Sequence, residues 1–287
     1  MAFSSLAEID AYMKTNKCEF WEAVIREEAR DSQQPEMDIV NRMTQMYRSM
    51  KEADEAYDDS LTSRSGLSGK NGKKMADYAA THKCMCGKFG GAVMARAIKM
   101  AESNACMKRI VAAPTAGSCG VVPAILITYE RMTNTSENDM VKALFVAAGI
   151  GDVIARRASI SGARGGCQAE IGASSAMAAG ALAWLKSGSS HLITQAAAMA
   201  LKSLLGLVCD PVAGLVEVPC VKRNASGAMN ALCAVDMALA GIGKCYSCRR
   251  GNRCDAEIGD LMHKDLRETG KGGLAATATG IAVAERL

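Results

Sequence analysis

The sequence predicts a mainly α-helical fold, and three observations support this prediction. Hydrophobic residues make up 49% of the 287 residues and aromatic residues only 4%, while 27 residues are Gly and 18 are Met. Small and flexible side chains of this kind favour closely packed helices over a β-sandwich core. Apolar residues recur at helical spacing, and no strand-like alternation extends beyond a few residues. A chain of this length can bury about 75% of the surface that it exposes when unfolded.

In the N-terminal part, the sequence predicts two helices followed by a loop. Residues 5–30 and 36–57 carry apolar residues at helical spacing among many charged ones, and Pro35 separates the two segments. We interpret both as surface helices whose apolar stripe faces the core. Residues 58–73 are polar and rich in Ser and Gly, which predicts a loop. We expect this loop to divide an N-terminal helical arm, residues 1–60, from a single main domain, residues 61–287.

In the main domain, the sequence predicts a series of helices separated by Gly-rich breaks. Ser136 begins a capping-box-like sequence ahead of an apolar run that extends to Ile154. The segment 167–187 is so rich in small residues that we expect it to be buried. The predicted helices cover residues 88–107, 136–154, 167–187, 191–205, 224–242 and 255–268. No internal repeat is present.

Charge and cysteine content exclude several functional classes. The net charge is +4, and no basic stripe with interleaved aromatic residues is present, which argues against nucleic-acid binding. No run reaches the roughly 18 apolar residues of a membrane span, and the first 20 residues contain no apolar signal core. The 12 cysteines are therefore expected in a cytoplasmic, reducing environment, as metal ligands, catalytic groups or small buried hydrophobes.

The sequence lacks the motifs of several common chemistries. It contains no GxxxxGK[ST] loop, no strand-borne GxGxxG fingerprint and no GxSxG elbow. Nucleotide-dependent and acyl-serine chemistry are therefore not supported. The three histidines, His82, His191 and His263, lie in separate segments and offer no His-rich metal site.

Three Gly-rich breaks differ from ordinary loops. The first, residues 113–120, contains Thr and Ser hydroxyls and ends where a helix is expected to begin at Val121. Free backbone N–H groups at such a start can bind a carboxylate, and a tight turn with an N-cap explains the same residues equally well.

The other two breaks carry cysteines. In residues 161–170, two glycines precede Cys167, and a helix that begins there would lower the pKa of its thiol. In residues 209–220, Cys209 and Cys220 bracket a loop, and the cations that follow could offset the charge of a cluster. Thiolates are the usual ligands of iron–sulfur clusters, and three of them would leave one iron open as a Lewis acid. Spacing alone also allows three unrelated buried cysteines.

A competing metal site has closer spacing. Cys245, Cys248 and Cys254 lie in a basic stretch, with His263 further on, and could hold zinc in a nucleic-acid-binding or interaction module. Their spacing is irregular for a zinc module, so a surface loop with reduced cysteines is the alternative. The C-x-C pair of Cys84 and Cys86 is a weaker candidate.

Several long motifs, in order, resemble one known family. They are SGLSGKNGKKM (residues 65–75), IVAAPTAGSCGVVPAIL (110–126), SGARGGCQAEIGASSAMAAGA (161–181), GLVCDPVAGLVEVPCVKRNASGAMNAL (206–232) and LRETGKGGLAATATG (266–280). Over about residues 60–280 the chain closely resembles the alpha domain of bacterial iron–sulfur L-serine dehydratases.

This resemblance implies a helical catalytic domain, residues 61–287, that converts L-serine to pyruvate and ammonia with a 4Fe–4S cluster. It implies Cys167, Cys209 and Cys220 as the three ligands and an open iron that polarises the departing serine hydroxyl while a base removes the α-proton. The implied substrate-binding residues are Ser65, Gly66, Ser68, Thr115, Gly117, Ser118 and Asn224. Cys119 lies where the family often has a small residue, so we do not count it as a ligand.

The resemblance also implies a partner. The family's alpha domain works with a beta domain that carries an HSxGP-type motif, which this sequence lacks. We therefore expect a cytoplasmic oligomer with a beta subunit, which could carry the catalytic base, and a place in amino-acid catabolism and gluconeogenesis. The cysteine-rich stretch 244–254 departs from the family, and its role stays open. A cluster-dependent deaminase or desulfidase of threonine or cysteine is an alternative, whereas no lysine stands out as a pyridoxal-phosphate residue.

Overall fold

The computed structural model describes residues 3–243 and 248–287. Within these ranges the chain forms one helical domain without a β-strand, which confirms the predicted fold class. The α-helices are α1 Leu6–Asn16, α2 Phe20–Ser32, α3 Glu36–Glu55, α4 Asn71–Ala80, α5 Gly87–Ala105, α6 Val121–Thr133, α7 Glu137–Arg157, α8 Gly162–Gly165, α9 Ala173–Ser187, α10 Ser190–Lys202, α11 Cys220–Leu239, α12 Cys248–Leu261 and α13 Ala278–Ala284.

Most predicted helices are present, with ends that differ by a few residues. The Ser136 hydroxyl accepts a hydrogen bond from the backbone N–H of Asp139 and caps α7, as the capping-box pattern predicts. The prediction of one helix over residues 5–30 is wrong, because Lys17 adopts a left-handed conformation with φ 47° and ends α1. The loop predicted for residues 58–73 is shorter, since α4 begins at Asn71.

Helix α9 lies at the centre of the domain. Every residue from 173 to 183 is buried, and α6, α7, α10 and α11 pack around it. Its small side chains allow these neighbours to approach closely. A Cβ atom at Gly180, for example, would lie 2.0 Å from Cδ1 of Ile150 on α7. The abundance of Gly and Ala in the sequence therefore serves the packing of this core.

The N-terminal helices contribute to the same hydrophobic core. Phe20, Tyr47 and Met50 are buried in the cluster that also contains α9. Helix α2 packs against α7, where a Cβ atom at Gly149 would lie 2.5 Å from Cγ2 of Val24. The boundary proposed near residue 60 stays a prediction. In the described part of the chain, no helix combines the length and apolar character that crossing a bilayer requires.

Candidate functional site

Cys167 is brought to the site by a sharp turn after α8. Gly166 has φ 76°, a conformation that favours glycine. A Cβ atom there would lie 3.0 Å from the carbonyl oxygen of Leu207 and 2.7 Å from Sδ of Met262. The next amide, that of Gln168, donates a 2.9 Å hydrogen bond to the Leu207 oxygen. Glycine at 166 therefore permits the close approach that places Cys167 beside the segment that leads to Cys209.

Cys209 is held by the C-terminal part of the chain. Its N–H donates a 2.8 Å hydrogen bond to the Leu266 carbonyl oxygen, and its own carbonyl oxygen accepts one of 2.9 Å from Glu268 N–H. These bonds form an isolated parallel bridge between Cys209 and Arg267. A segment 58 residues further along the chain therefore fixes the Cys209 backbone.

The three predicted cysteines are all buried, and the structure brings them together. Sγ of Cys167 and Sγ of Cys209 lie within 4.8 Å of each other and of a Glu170 carboxylate oxygen. The hydrogen bond from Cys209 lowers the pKa of Cys167, while the same bond and burial raise the pKa of Cys209. Cys220 begins α11, and burial together with the nearby Cys167 raises its pKa to about 12. A metal that bound here would displace the protons of Cys209 and Cys220, because thiols bind metals as thiolates.

Arg223 lies against these thiols. Its Nη1 donates to Sγ of Cys167 at 3.3 Å and to the Val208 carbonyl oxygen at 2.8 Å. Its Nη2 donates to Oδ1 of the buried Asp210 at 2.8 Å. The other Asp210 oxygen accepts from the Leu274 N–H at 2.9 Å. Asp210 therefore orients Arg223 onto the cysteine cluster and also anchors the C-terminal segment.

Glu170 is a residue of this site that the sequence analysis did not identify. It lies in a π-helical segment, Gln168–Gly172, between Cys167 and α9. Such segments occur frequently at functional sites. Burial raises the pKa of the Glu170 carboxyl, the Thr115 hydroxyl lowers it, and the charge of Glu268 raises it further. The sequence did not predict this π-helical turn, because residues 167–187 have ordinary α-helical spacing.

The segment 113–120 borders Glu170 and forms a capped turn. Ala116–Ser118 is a single 3₁₀ turn, in which the Thr115 N–H donates to Oγ of Ser118 at 3.3 Å. A Cβ atom at Gly117 would lie 3.3 Å from both carboxylate oxygens of Glu170. The turn is thus part of the lining around the cysteines. The carboxylate-binding role of this segment stays a prediction.

Asn224 connects this turn to the start of α11. Its Nδ2 donates to the carbonyl oxygens of Gly117 at 2.8 Å and Cys220 at 3.0 Å, and its Oδ1 accepts from Gly120 N–H at 2.8 Å. The side chain is fully buried. Both of its amide hydrogens are therefore engaged in fixing the turn relative to Cys220.

The serine-rich loop is tied to the cysteine loop by Glu217, another residue that the sequence analysis missed. The buried Glu217 carboxylate accepts hydrogen bonds from Oγ of Ser63 at 2.5 Å and Oγ of Ser65 at 2.8 Å. Ser68 is buried, and its N–H donates to Oγ of Ser63 at 3.1 Å. Gly66 lies at the exposed tip with φ 77°. An acidic residue three positions before Cys220, in the otherwise apolar stretch 211–219, is the only sequence signal of this contact.

Among the residues that the structure describes, no further cysteine joins this group. Cys245 lies outside the described residues, as does the Cys248 side chain. Cys254 is half-buried, and His263 Nδ1 accepts from the Asp265 N–H. The described residues hold one group of three metal-ligating side chains, Cys167, Glu170 and Cys209. Cys119 is fully buried, and its thiol donates to the Met100 carbonyl oxygen at 3.7 Å.

Comparisons with known proteins agree with the motifs. A family model described as "Serine dehydratase alpha chain" matches residues 15–275. The chain is 42% identical to the "Probable L-serine dehydratase, alpha chain" of Bacillus subtilis (strain 168), over 97% of this chain and 93% of that protein. It is 44% identical to the "L-serine dehydratase, alpha chain" of Peptoniphilus asaccharolyticus, over 72% of this chain and 71% of that protein. A match to "L-serine dehydratase 2" of Escherichia coli (strain K12) is 42% identical and covers 62% of this chain but 40% of that protein.

Proposed function

Because the chain belongs to the serine dehydratase alpha-chain family, we propose that it is the alpha subunit of an L-serine ammonia-lyase. In this proposal it converts L-serine to pyruvate and ammonia and holds a 4Fe–4S cluster through Cys167, Cys209 and Cys220. The observation that carries the proposal is the meeting of these three buried cysteines from three separate segments.

The chemistry of the donor set fits such a cluster. All three proposed ligands are thiols, the usual ligands of iron–sulfur clusters, and none of them is in a disulfide. When bound, the cluster would supply a Lewis-acidic iron with an open position for the serine hydroxyl. Arg223 supports this arrangement, since its guanidinium already donates to Cys167 and would offset the negative charge of the thiolates.

The residues around the cysteines give the substrate a bounded site. We assign binding of the serine carboxylate to the capped turn at Thr115 and Ser118, whose hydroxyls and amides border the site. Ser65 and Ser68 would close the pocket from the serine-rich loop, which Glu217 ties to the cysteine loop. Asn224 keeps the turn and the Cys220 backbone in register.

The base that removes the α-proton is proposed to come from a beta chain. Among the described residues, the histidines His82, His191 and His263 lie outside the segments that form the site. The family name designates an alpha chain, and the Escherichia coli relative continues well beyond the part that matches. Both observations support a partner that contributes to the same active site.

The test is anaerobic reconstitution of the chain with iron and sulfide, alone and with a beta chain, followed by a pyruvate assay with L-serine. We expect about four irons per chain, a visible absorption band that changes when L-serine is added, and pyruvate formation that depends on the partner. L-Threonine and L-cysteine serve as competing substrates, and faster turnover of either would assign the related deaminase or desulfidase activity instead. Stoichiometric zinc without iron would refute the cluster proposal.

A further inference from the structure

The Glu170 carboxylate has no positively charged partner in the described part of the chain. It lies within 4.8 Å of two cysteine sulfurs, yet no Lys, Arg or His forms an ion pair with it there. Arg223, the cation at the same site, is engaged by Cys167, Val208 and Asp210. A largely buried carboxylate without a cation is costly unless a ligand supplies one.

Two glycines make room around this carboxylate. A Cβ atom at Gly162 would lie 2.8 Å from Oε2 of Glu170 and 3.1 Å from Oε2 of Glu268. One at Gly117 would lie 3.3 Å from both Glu170 oxygens. Any other residue at 162 would therefore press on the carboxylate. The backbone therefore approaches the Glu170 oxygens closely at both glycines, and the Glu268 carboxylate faces the same point as Glu170 at Gly162.

We propose that Glu170 binds the α-ammonium group of the substrate and thereby selects α-amino acids over the corresponding hydroxy acids. This inference rests on the proposed function, because it places the substrate beside the cysteines. An ammonium group presents three donors and one positive charge. The two Glu170 oxygens offer acceptors for these donors, and the nearby Glu268 carboxylate adds negative charge.

The proposed contacts give the two ends of the substrate opposite environments. The carboxylate end belongs to the capped turn at Thr115 and Ser118 and its amides, while the ammonium end faces Glu170. A ligand with a hydroxyl in place of the ammonium group offers one donor instead of three and carries no positive charge, so the charge of Glu170 stays uncompensated. Discrimination against hydroxy acids therefore depends on this one side chain.

The experiment compares the wild type with Glu170→Gln in the reconstituted holoenzyme with its beta chain. Binding of L-serine is measured by its KM and that of L-glycerate by its inhibition constant. The affinity of L-alanine, which has no leaving hydroxyl, is measured by anaerobic calorimetry. Hydrogen bonds to a charged group are stronger than neutral ones, so we expect Glu170→Gln to weaken the binding of L-serine and L-alanine at least about tenfold. The inhibition constant of L-glycerate should change by less than about twofold. Glu170→Asp keeps the charge and should retain part of the preference for the amino acids.

Two results would overturn this role. Equal weakening of L-glycerate and L-alanine would show that Glu170 only shapes the pocket, and loss of iron from both Glu170→Gln and Glu170→Asp would make it a metal ligand. Iron content and urea midpoint are measured on each variant, so that misfolding is recognised. If Glu170→Gln does not fold, the ratio of the L-alanine and L-glycerate affinities of Glu170→Asp decides. Turnover of L-serine by the wild type tests the proposed function separately.

Discussion

The helical body around α9 and the cysteine site are built in different ways. In the body, small residues repeat along single helices, and each helix buries one continuous stripe against its neighbours. In the site, side chains come from breaks between helices, and long-range hydrogen bonds such as Gln168 N–H to Leu207 and Cys209 N–H to Leu266 hold them. The body therefore depends on close packing and the site on a few polar contacts.

This difference separates two kinds of substitution. A change in the body should alter the free energy of unfolding, because packed interiors tolerate little change in volume. A change in the site should alter metal or substrate binding and leave the helices intact, because few apolar contacts are lost there. The variants below compare the two regions, from the largest expected effect to the smallest.

The largest effect is expected from Cys209→Ser. A hydroxyl is a much poorer iron ligand than a thiolate, so iron content and pyruvate formation should fall to background after anaerobic reconstitution. The matched control is Cys119→Ser, which makes the same change at a buried thiol outside the proposed set of ligands. It should keep its iron, and both variants should keep the helical circular dichroism spectrum. Iron loss in the control alone would place the cluster elsewhere.

The body was largely predictable from the sequence, because its determinants are local. The Ser136 cap of α7 and the burial of α9 follow from a capping pattern and from small residues at helical spacing. The break at Lys17 was not predictable, since a left-handed non-glycine residue ends α1 within a continuous helical pattern.

The site was predictable only in part. Cys167, Cys209 and Cys220 were identified by family resemblance, because their separations do not match a short metal-binding motif. Glu170, Asp210 and Glu217 were missed, because the partner of each comes from another segment of the chain. These partners are, in the same order, the Thr115 hydroxyl, the Leu274 N–H and the Ser63 hydroxyl. Such contacts depend on tertiary structure that no local pattern encodes.

Asp255→Asn should stabilise the protein at alkaline pH. Burial raises the pKa of the Asp255 carboxyl from 3.8 to about 7, and its Oδ1 has no hydrogen-bond partner. The folded state therefore binds a proton more tightly than the unfolded state, and the wild type should lose stability as the pH rises from about 4 to 7. One pKa unit corresponds to about 1.4 kcal/mol, so we expect a gain of about 2–4 kcal/mol at pH 8 and little at pH 4.

Urea unfolding of the wild type and Asp255→Asn at the two pH values measures this difference. The control is Asp210→Asn, since Asp210 is equally buried but paired with Arg223 and with Leu274 N–H. It should lower stability at pH 8, because removing one charge of a buried pair leaves the other uncompensated. A gain for Asp255→Asn that is the same at both pH values would rule out ionisation as the cause.

Gly180→Val should destabilise the helical body by about 1–3 kcal/mol, the usual cost of overpacking. The added Cβ would lie 2.0 Å from Cδ1 of Ile150, so α7 and α9 would have to move apart. Ser187→Val introduces the same side chain at an exposed position seven residues further along α9, outside the core. Urea midpoints should fall for the first variant far more than for the second, while iron content per folded chain stays equal. Equal midpoints would mean that Ile150 relaxes without cost.

The smallest effect is expected from Glu217→Gln, which tests whether the serine-rich loop belongs to the site or to the body. Glutamine keeps one oxygen for the Ser63 and Ser65 hydroxyls, but it loses the charge that strengthens both bonds. A loss of about 1 kcal/mol corresponds to roughly a fivefold rise in the KM for L-serine. The exposed Glu55→Gln, which removes only a surface pair with Arg131, should change neither KM nor stability.

If the urea midpoint falls and KM does not change, Glu217 supports the fold alone, and Ser65 and Ser68 lose their place in the substrate pocket. If KM rises at an unchanged midpoint, the loop belongs functionally to the cysteine site, although Glu217 is as deeply buried as the core.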